Sequence, residues 1–467
     1  MQEYNQPTGL TAFALVYLTF FLDNVLLTVL VPIIPDWVRG ESLALWSEHG
    51  APLVALLNTT VRRITNEDDG NGVGTSQAVV GAVLGAKAAT QLALSPAAAA
   101  LTATRGPVVA LRLATAMLAT AALVFGWCAG RGSGGALCAG VGRAAHGGGA
   151  ALSGVAGLAL AARVLPPESS HRALGALLGA VALGVLVGYP FGGAAYKLWS
   201  LAAPFQLIAI ALLINLGLQY LLLQKEEHNT STSEREGTDG PATGARVMWA
   251  EASRDATGAC AGAVLITTCV MAALEPCLPL WIMHKFHPER WALGAVFLPD
   301  SVGYLVAASL LGAPARRLGP ERVAVAAVAC VGVSALLAPL APSVGWVSVP
   351  QALLGAGLGA ADAALVPAVL ARRRRALPHR AALLQAASSA AYAIGPVAGG
   401  LVSWCAGFES ALRTLGVANM LYAVFLYRAL AAHPLSEQWG ASATPDDDSE
   451  AEGEEMTPLE PGKRPLP

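Results

Sequence analysis

The sequence predicts an all-α polytopic membrane protein, with twelve transmembrane helices in two six-helix halves. Three observations carry that reading. Of 467 residues, 55% are hydrophobic and 13% charged, against about 25% charged in an average soluble protein, and the mean hydropathy is +0.54. Twelve apolar stretches follow one another, each near the ~20 residues that a bilayer crossing requires. A polar stretch at 225–257 divides them six and six. With this composition, counting soluble domains by length does not apply. The net charge of −2 carries no basic footprint for nucleic acid.

In chain order, residues 1–9 form a short N-terminus and 10–224 the first half, with spans at 10–36, 77–100, 107–129, 135–162, 172–195 and 203–224. The first run is too long for a cleavable signal and carries Asp23, so it reads as a span. The linker 225–257, with Lys225 followed by two glutamates, a Ser/Thr/Glu run and Gly/Pro, reads as flexible. The second half, 258–432, holds spans at 258–283, 292–315, 322–342, 346–371, 380–405 and 409–431. The tail 433–467, with its acidic run 446–455, reads as disordered and solvated. Ala and Gly abound, and small residues let membrane helices pack closely. All seven cysteines lie in or beside apolar segments and none in the long polar loops, so no disulfide framework is expected.

Basic residues set the orientation. Arg105, Arg163, Arg172, Arg316, Arg317, Arg322, Arg372–Arg375 and Arg380 fall in alternate short loops, and the opposite loops hold fewer. The positive-inside rule then places both termini and the linker in the cytosol. Loop 37–76 becomes lumenal or extracellular and carries a glycosylation sequon at Asn58. The halves also echo each other: Arg105-Gly-Pro follows span two, and Leu318-Gly-Pro follows span eight. Two such halves suggest the major facilitator fold, in which they rock about a site near the midplane.

Polar residues inside the spans mark that site. A charged side chain at the bilayer centre costs ~2.5–3.5 kcal/mol on insertion scales and is tolerated facing other helices or water. Asp23 and Asn24 lie inside span one, and snorkelling from a helix end is the alternative for Asp23. Lys87 in span two needs a carboxylate or must lose its proton, and Gln91 lies one turn along the same face. Arg143 and His146 are a turn apart in span four. Arg143 is near the span's start, where snorkelling is the alternative, and for His146 a packed neutral imidazole is favoured over a proton relay. Glu275 precedes Pro276, where a broken helix ladder commonly hosts a transporter site. Tyr304 follows in span eight, and Asp300, close to an interface, is left out of the site. Asp362 in span ten has no basic residue within two turns and suits a group that loads and releases a proton. Tyr392 in span eleven can line the cavity with its ring.

These residues sit in motifs that resemble the vesicular amine transporters, the family of monoamine and acetylcholine vesicle carriers. The motifs are Leu22-Asp-Asn-Val-Leu-Leu-Thr-Val-Leu-Val-Pro-Ile-Ile-Pro35, Ala86-Lys-Ala88 with Gln91, Val155-Ala-Gly157, Gly184-Val-Leu-Val-Gly188, Leu274-Glu-Pro-Cys-Leu-Pro-Leu-Trp281, Phe297-Leu-Pro299 and Tyr392-Ala-Ile-Gly-Pro396. The resemblance runs through nearly all spans and is nearer the monoamine branch. It implies exchange of lumenal protons for a cytosolic cationic amine, loaded into acidic secretory or synaptic vesicles. By resemblance, Asp23 contacts the amine with Asn24 beside it, Glu275 is a second cavity carboxylate and Tyr392 flanks the substrate; Tyr304, in span eight, is counted with them as substrate-binding. Asp362 is the main protonation site, and Lys87, Arg143, Gln91 and His146 belong to the coupling network.

The chain also departs from the family. The family's acid in span eleven, partner of the span-two lysine, is replaced by Gln385. Its span-four serine cluster is reduced to Ser153, and its lumenal cysteine pair is absent. The expected partners are thus a small cationic amine, protons, the lipid bilayer and sorting adaptors on the acidic tail. No cofactor is expected, since the drive is a proton gradient. The alternatives are a broad-specificity organic cation/drug–proton antiporter and a non-transporting binding or sensor protein on this scaffold. No phosphate loop, metal cluster or nucleophile–base pair is legible, so no enzyme is expected.

Overall fold

The structure is a computed structural model that describes residues 6–29, 73–129, 135–164, 167–224, 241–254, 256–287, 296–371 and 376–435. The loop that carries Asn58, the linker's first part (225–240) and the tail beyond 435 lie outside the described residues. Among the described residues there is no strand. The helices are α1 (Gln6–Val29), α2 (Val73–Arg105), α3 (Pro107–Cys128), α4 (Gly135–Val164), α5 (Pro167–Leu198), α6 (Ala203–Leu222), α7 (Pro241–Ala252), α8 (Thr257–Phe286), α9 (Leu298–Leu318), α10 (Pro320–Leu337), α11 (Val344–Ala371), α12 (Leu377–Ala406) and α13 (Phe408–Ala432).

Ten of these are long and apolar enough to cross a membrane. Of the twelve expected spans, the two that fall short are α2 and α9, whose apolar run Leu298–Gly312 is shorter. The chain breaks helices where its sequence says it should. Gly106, Gly319 and Gly407 adopt positive φ (82°, 89° and 85°) between α2 and α3, α9 and α10, and α12 and α13. Such backbone suits glycine, and the proline that follows Gly106 and Gly319 restarts the helix at its first position.

The packing repeats between the halves. In the first, α1 packs on α4, α5 and α6, α2 on α4, and α3 on α4 and α6. In the second, α8 packs on α11, α12 and α13, α9 on α11, and α10 on α11 and α13. Each contact has its counterpart six spans on. Glycines set the closest approach: a Cβ on Gly355 of α11 would collide with the backbone of Asp300, and one on Gly359 would lie 2.6 Å from the carbonyl oxygen of Tyr304. That close passage of α9 and α11 fixes the side chains of Asp300, Tyr304 and Asp362 relative to one another. The halves meet along α2 with α12 and α5 with α9, and also at α4 with α12 and α5 with α11.

Two expectations need correction. The linker is not flexible throughout, because Pro241–Ala252 is helical. Proline at the first helical position and a run of Ala, Met and Glu favour it, and the polar residues before it mask that signal in the sequence. This α7 packs against both α2 and α12. Its Gly244 lies against the carbonyl oxygen of Pro96, 2.7 Å from the place a Cβ would take. Its Glu251 forms a buried ion pair with Arg380 of α12, Nε to Oε2 at 2.8 Å, and Arg380 Nη1 also donates to the carbonyl of Val369 at 3.1 Å.

Second, Cys128 and Cys138 form a disulfide, with Cα atoms 5.8 Å apart. The end of α3 lies beside the start of α4, so two cysteines ten positions apart with no motif spacing meet there. The bond is expected to survive purification. Peptide mapping without reduction should give a cross-linked species containing Cys128 and Cys138, and alkylation of both thiols before reduction would refute it.

Candidate functional site

Asp23 sits deep in α1 and is 8% exposed, so it does not snorkel. α1 packs on α4, and two α4 side chains seven residues apart reach the carboxylate. His146 Nε2 lies 2.7 Å from Oδ1, and Ser153 Oγ donates to Oδ2 at 3.2 Å. Residues two turns apart share a helix face, so one side of α4 clasps the acid. His146 is fully buried. It is packed and hydrogen-bonded, as expected, with Asp23 as its partner, while its Nδ1 is buried with no hydrogen-bond partner among the described residues. Gly147 lets α2 pass against α4 at Lys87.

Lys87 lies within electrostatic range of Asp23, Arg143 and Glu275, which answers what an ammonium without an acid in span eleven (α12) can face. Arg143 is 1% exposed, so the snorkelling alternative is excluded. Gln91 is buried on the same helix as Lys87. Asn24 turns its amide back to the carbonyl of Phe20 at 2.8 Å, and its Cβ lies against α5 at Gly184. It therefore braces helix packing in this state. Gln385 of α12 meets α4 at Gly154, beside Ser153.

The second half supplies acids. Tyr304 of α9 donates its hydroxyl to Asp362 Oδ2 of α11 at 2.7 Å. Tyr304 also lies within range of Asp300 and of Tyr392, which is 37% exposed. Glu275 of α8 is exposed and feels Arg143 and Lys87 across the divide between the halves. Among the described residues, Asp362 makes no salt bridge. The arrangement thus sets two cations, Lys87 and Arg143, with Asp23 and His146 on one side. On the other stand Glu275, Asp300 and Asp362.

Sequence reasoning named most of these residues, but not their pairing. It passed over Asp300, although its spacing of four from Tyr304 puts both on one face. It also missed the Glu251–Arg380 pair, which no local pattern joins across 129 positions. No group of three His, Cys, Asp or Glu able to hold a metal occurs among the described residues.

Comparison with known proteins places this geometry in context. The family model described as Major Facilitator Superfamily matches residues 13–289 and 260–461. The chain is 26% identical over 469 residues to the human synaptic vesicular amine transporter, covering 91% of this chain and 88% of that protein. It is 32% identical over 292 residues to the human chromaffin granule amine transporter, covering 62% of this chain and 54% of that one, about half its length. A solved structure of the human organic anion transporter MFSD10 superposes with a TM-score of 0.70 at 15% identity, covering 90% of this chain and 99% of that one. That likeness concerns the fold alone.

Proposed function

The chain belongs to the major facilitator superfamily, and from that premise we propose that it is a proton-coupled antiporter for a small cationic amine, of the monoamine kind. Loading runs from the cytosol into acidic secretory or synaptic vesicles, by alternating access. The observation that carries this reading is Asp362, an acid inside α11 that is hydrogen-bonded to Tyr304 and salt-bridged to no described residue. An acid in that setting can exchange a proton with whichever side it faces, and its charge is then available to a cation arriving in its place. Relatives that carry amines support the choice of cation.

The geometry supports a division of labour. Asp23, held by His146 and Ser153, offers a fixed carboxylate for the ammonium group. Glu275 is the exposed acid of the facing half. Tyr392 lends an aromatic face, to which a cation is attracted. Lys87 and Arg143 hold the positive side of the network and resist a second cation entering the first half. Packing of α4 on α12 and α5 on α11, with α7 over α2 and α12, supports closure at the α7 end.

The test is uptake of radiolabelled amines (serotonin, dopamine, histamine, acetylcholine and polyamines) into acidified vesicles that contain the protein. Accumulation of at least one amine, collapsed by a protonophore, is the expected result. Uptake that ignores the protonophore would remove the proton from the scheme. No uptake of any amine by folded protein would remove the amine.

A further inference from the structure

Asp300 stands outside the roles assigned so far. It occupies the first turn of α9 and is 4% exposed, and its Oδ1 is buried with no hydrogen-bond partner among the described residues. Among the described residues its electrostatic neighbours are another acid, Glu275 of α8, and the phenol of Tyr304 one turn on. Gly355 of α11 holds this turn in place, since any side chain there would strike the Asp300 backbone. A buried carboxylate oxygen without a donor is costly, and a neighbouring acid makes the cost larger. The arrangement calls for a donor that no described residue supplies.

The first half differs. Asp23 there already has His146 and Ser153 as partners and Lys87 in range. The second half presents Glu275, Asp300 and Asp362. A substrate with one ammonium group answers one of these stations and leaves Asp300 as it was.

We propose that Asp300 and Glu275 form a second cation subsite, toward the end of the cavity opposite α7, that receives a second ammonium group, so that the carrier favours amines bearing two cationic nitrogens. The proposal rests on the amine-carrier reading above. A primary ammonium brings three donors and no acceptor, which suits the unpartnered Oδ1 of Asp300 within electrostatic range of Glu275. The other ammonium then takes the carboxylate of Asp23, the station of a single amine.

The experiment is equilibrium binding to the full-length protein in lipid nanodiscs. The probes are α,ω-diamines of three to six carbons, each against the monoamine of equal length. At least one diamine should bind about tenfold tighter than its monoamine, the effect of one added charge-assisted contact. In Asp300→Asn that ratio should fall to near one, and in Asp300→Ser likewise, should the amide disturb folding. Monoamine binding with no diamine preference in the wild-type chain would overturn the subsite and leave the amine reading intact. A preference that persists in both variants would overturn the assignment to Asp300. If neither kind of amine binds, the amine reading fails and the subsite with it.

Discussion

Asp362→Asn should abolish proton-driven amine accumulation, with uptake down at least about a hundredfold, while leaving the protein folded. The amide keeps the shape of the acid and can still accept from Tyr304, whose hydroxyl donates at 2.7 Å. It cannot take or release a proton, so the step that resets the empty carrier is lost. The loss should be confined to net transport: binding of amine at equilibrium should survive, because Asp23 and Glu275 remain. The measurements are gradient-driven uptake and nanodisc binding on one preparation. If Asp362→Asn still concentrated amine against a gradient, proton exchange would have to lie elsewhere, with Glu275 next in line. Tyr304→Phe is the milder companion, removing one hydrogen bond and costing about 1 kcal/mol, a few-fold in uptake.

The second large effect concerns α7. Replacing Arg380 with Met leaves the buried Glu251 with the more exposed Arg254, 3.8 Å away, as its remaining ion-pair partner among the described residues; losing one member of a buried pair costs about 3–5 kcal/mol, and Arg254 brings the effect toward the lower end. Arg380 is 1% exposed and its side chain also supports the last turn of α11 through Val369. The Arg380→Met protein should therefore show a lower unfolding temperature and faster protease cleavage around α7. Glu251→Leu combined with Arg380→Met should recover most of the loss, since a well-packed apolar pair replaces an ionic one at little cost. A double variant as unstable as the single one would mean that Arg380 acts through Val369 and packing alone. Thermal unfolding followed by intrinsic fluorescence distinguishes the two, because the four proteins of the cycle report the coupling directly.

Much of the fold was legible because membrane spans announce themselves by length and hydropathy, whatever their neighbours. The two weaker helices show where that signal thins: α2 carries Lys87 and Pro96, and α9 carries Asp300 and Pro314. Site residues were legible for the same reason in reverse, since any charge inside a span stands out against its cost. The pairings were hidden. His146 and Asp23 are 123 positions apart, and Tyr304 and Asp362 are 58 apart. Which face of each helix turns inward depends on glycines such as Gly147 and Gly355, whose contacts are known only once the helices are packed. In helices this rich in alanine, the apolar pattern hardly distinguishes one face from another. The Cys128–Cys138 bond was missed on similar grounds, because its two cysteines have no motif spacing.

That disulfide joins α3 to α4 within one half and crosses no boundary between the halves. Rocking of one half on the other leaves it untouched, so it is no brake on the cycle. It acts instead as a compass. Such bonds form and persist in oxidising compartments, while the cytosol keeps thiols reduced. A disulfide between the end of α3 and the start of α4 agrees with the lumenal side that the basic residues predict for this connection.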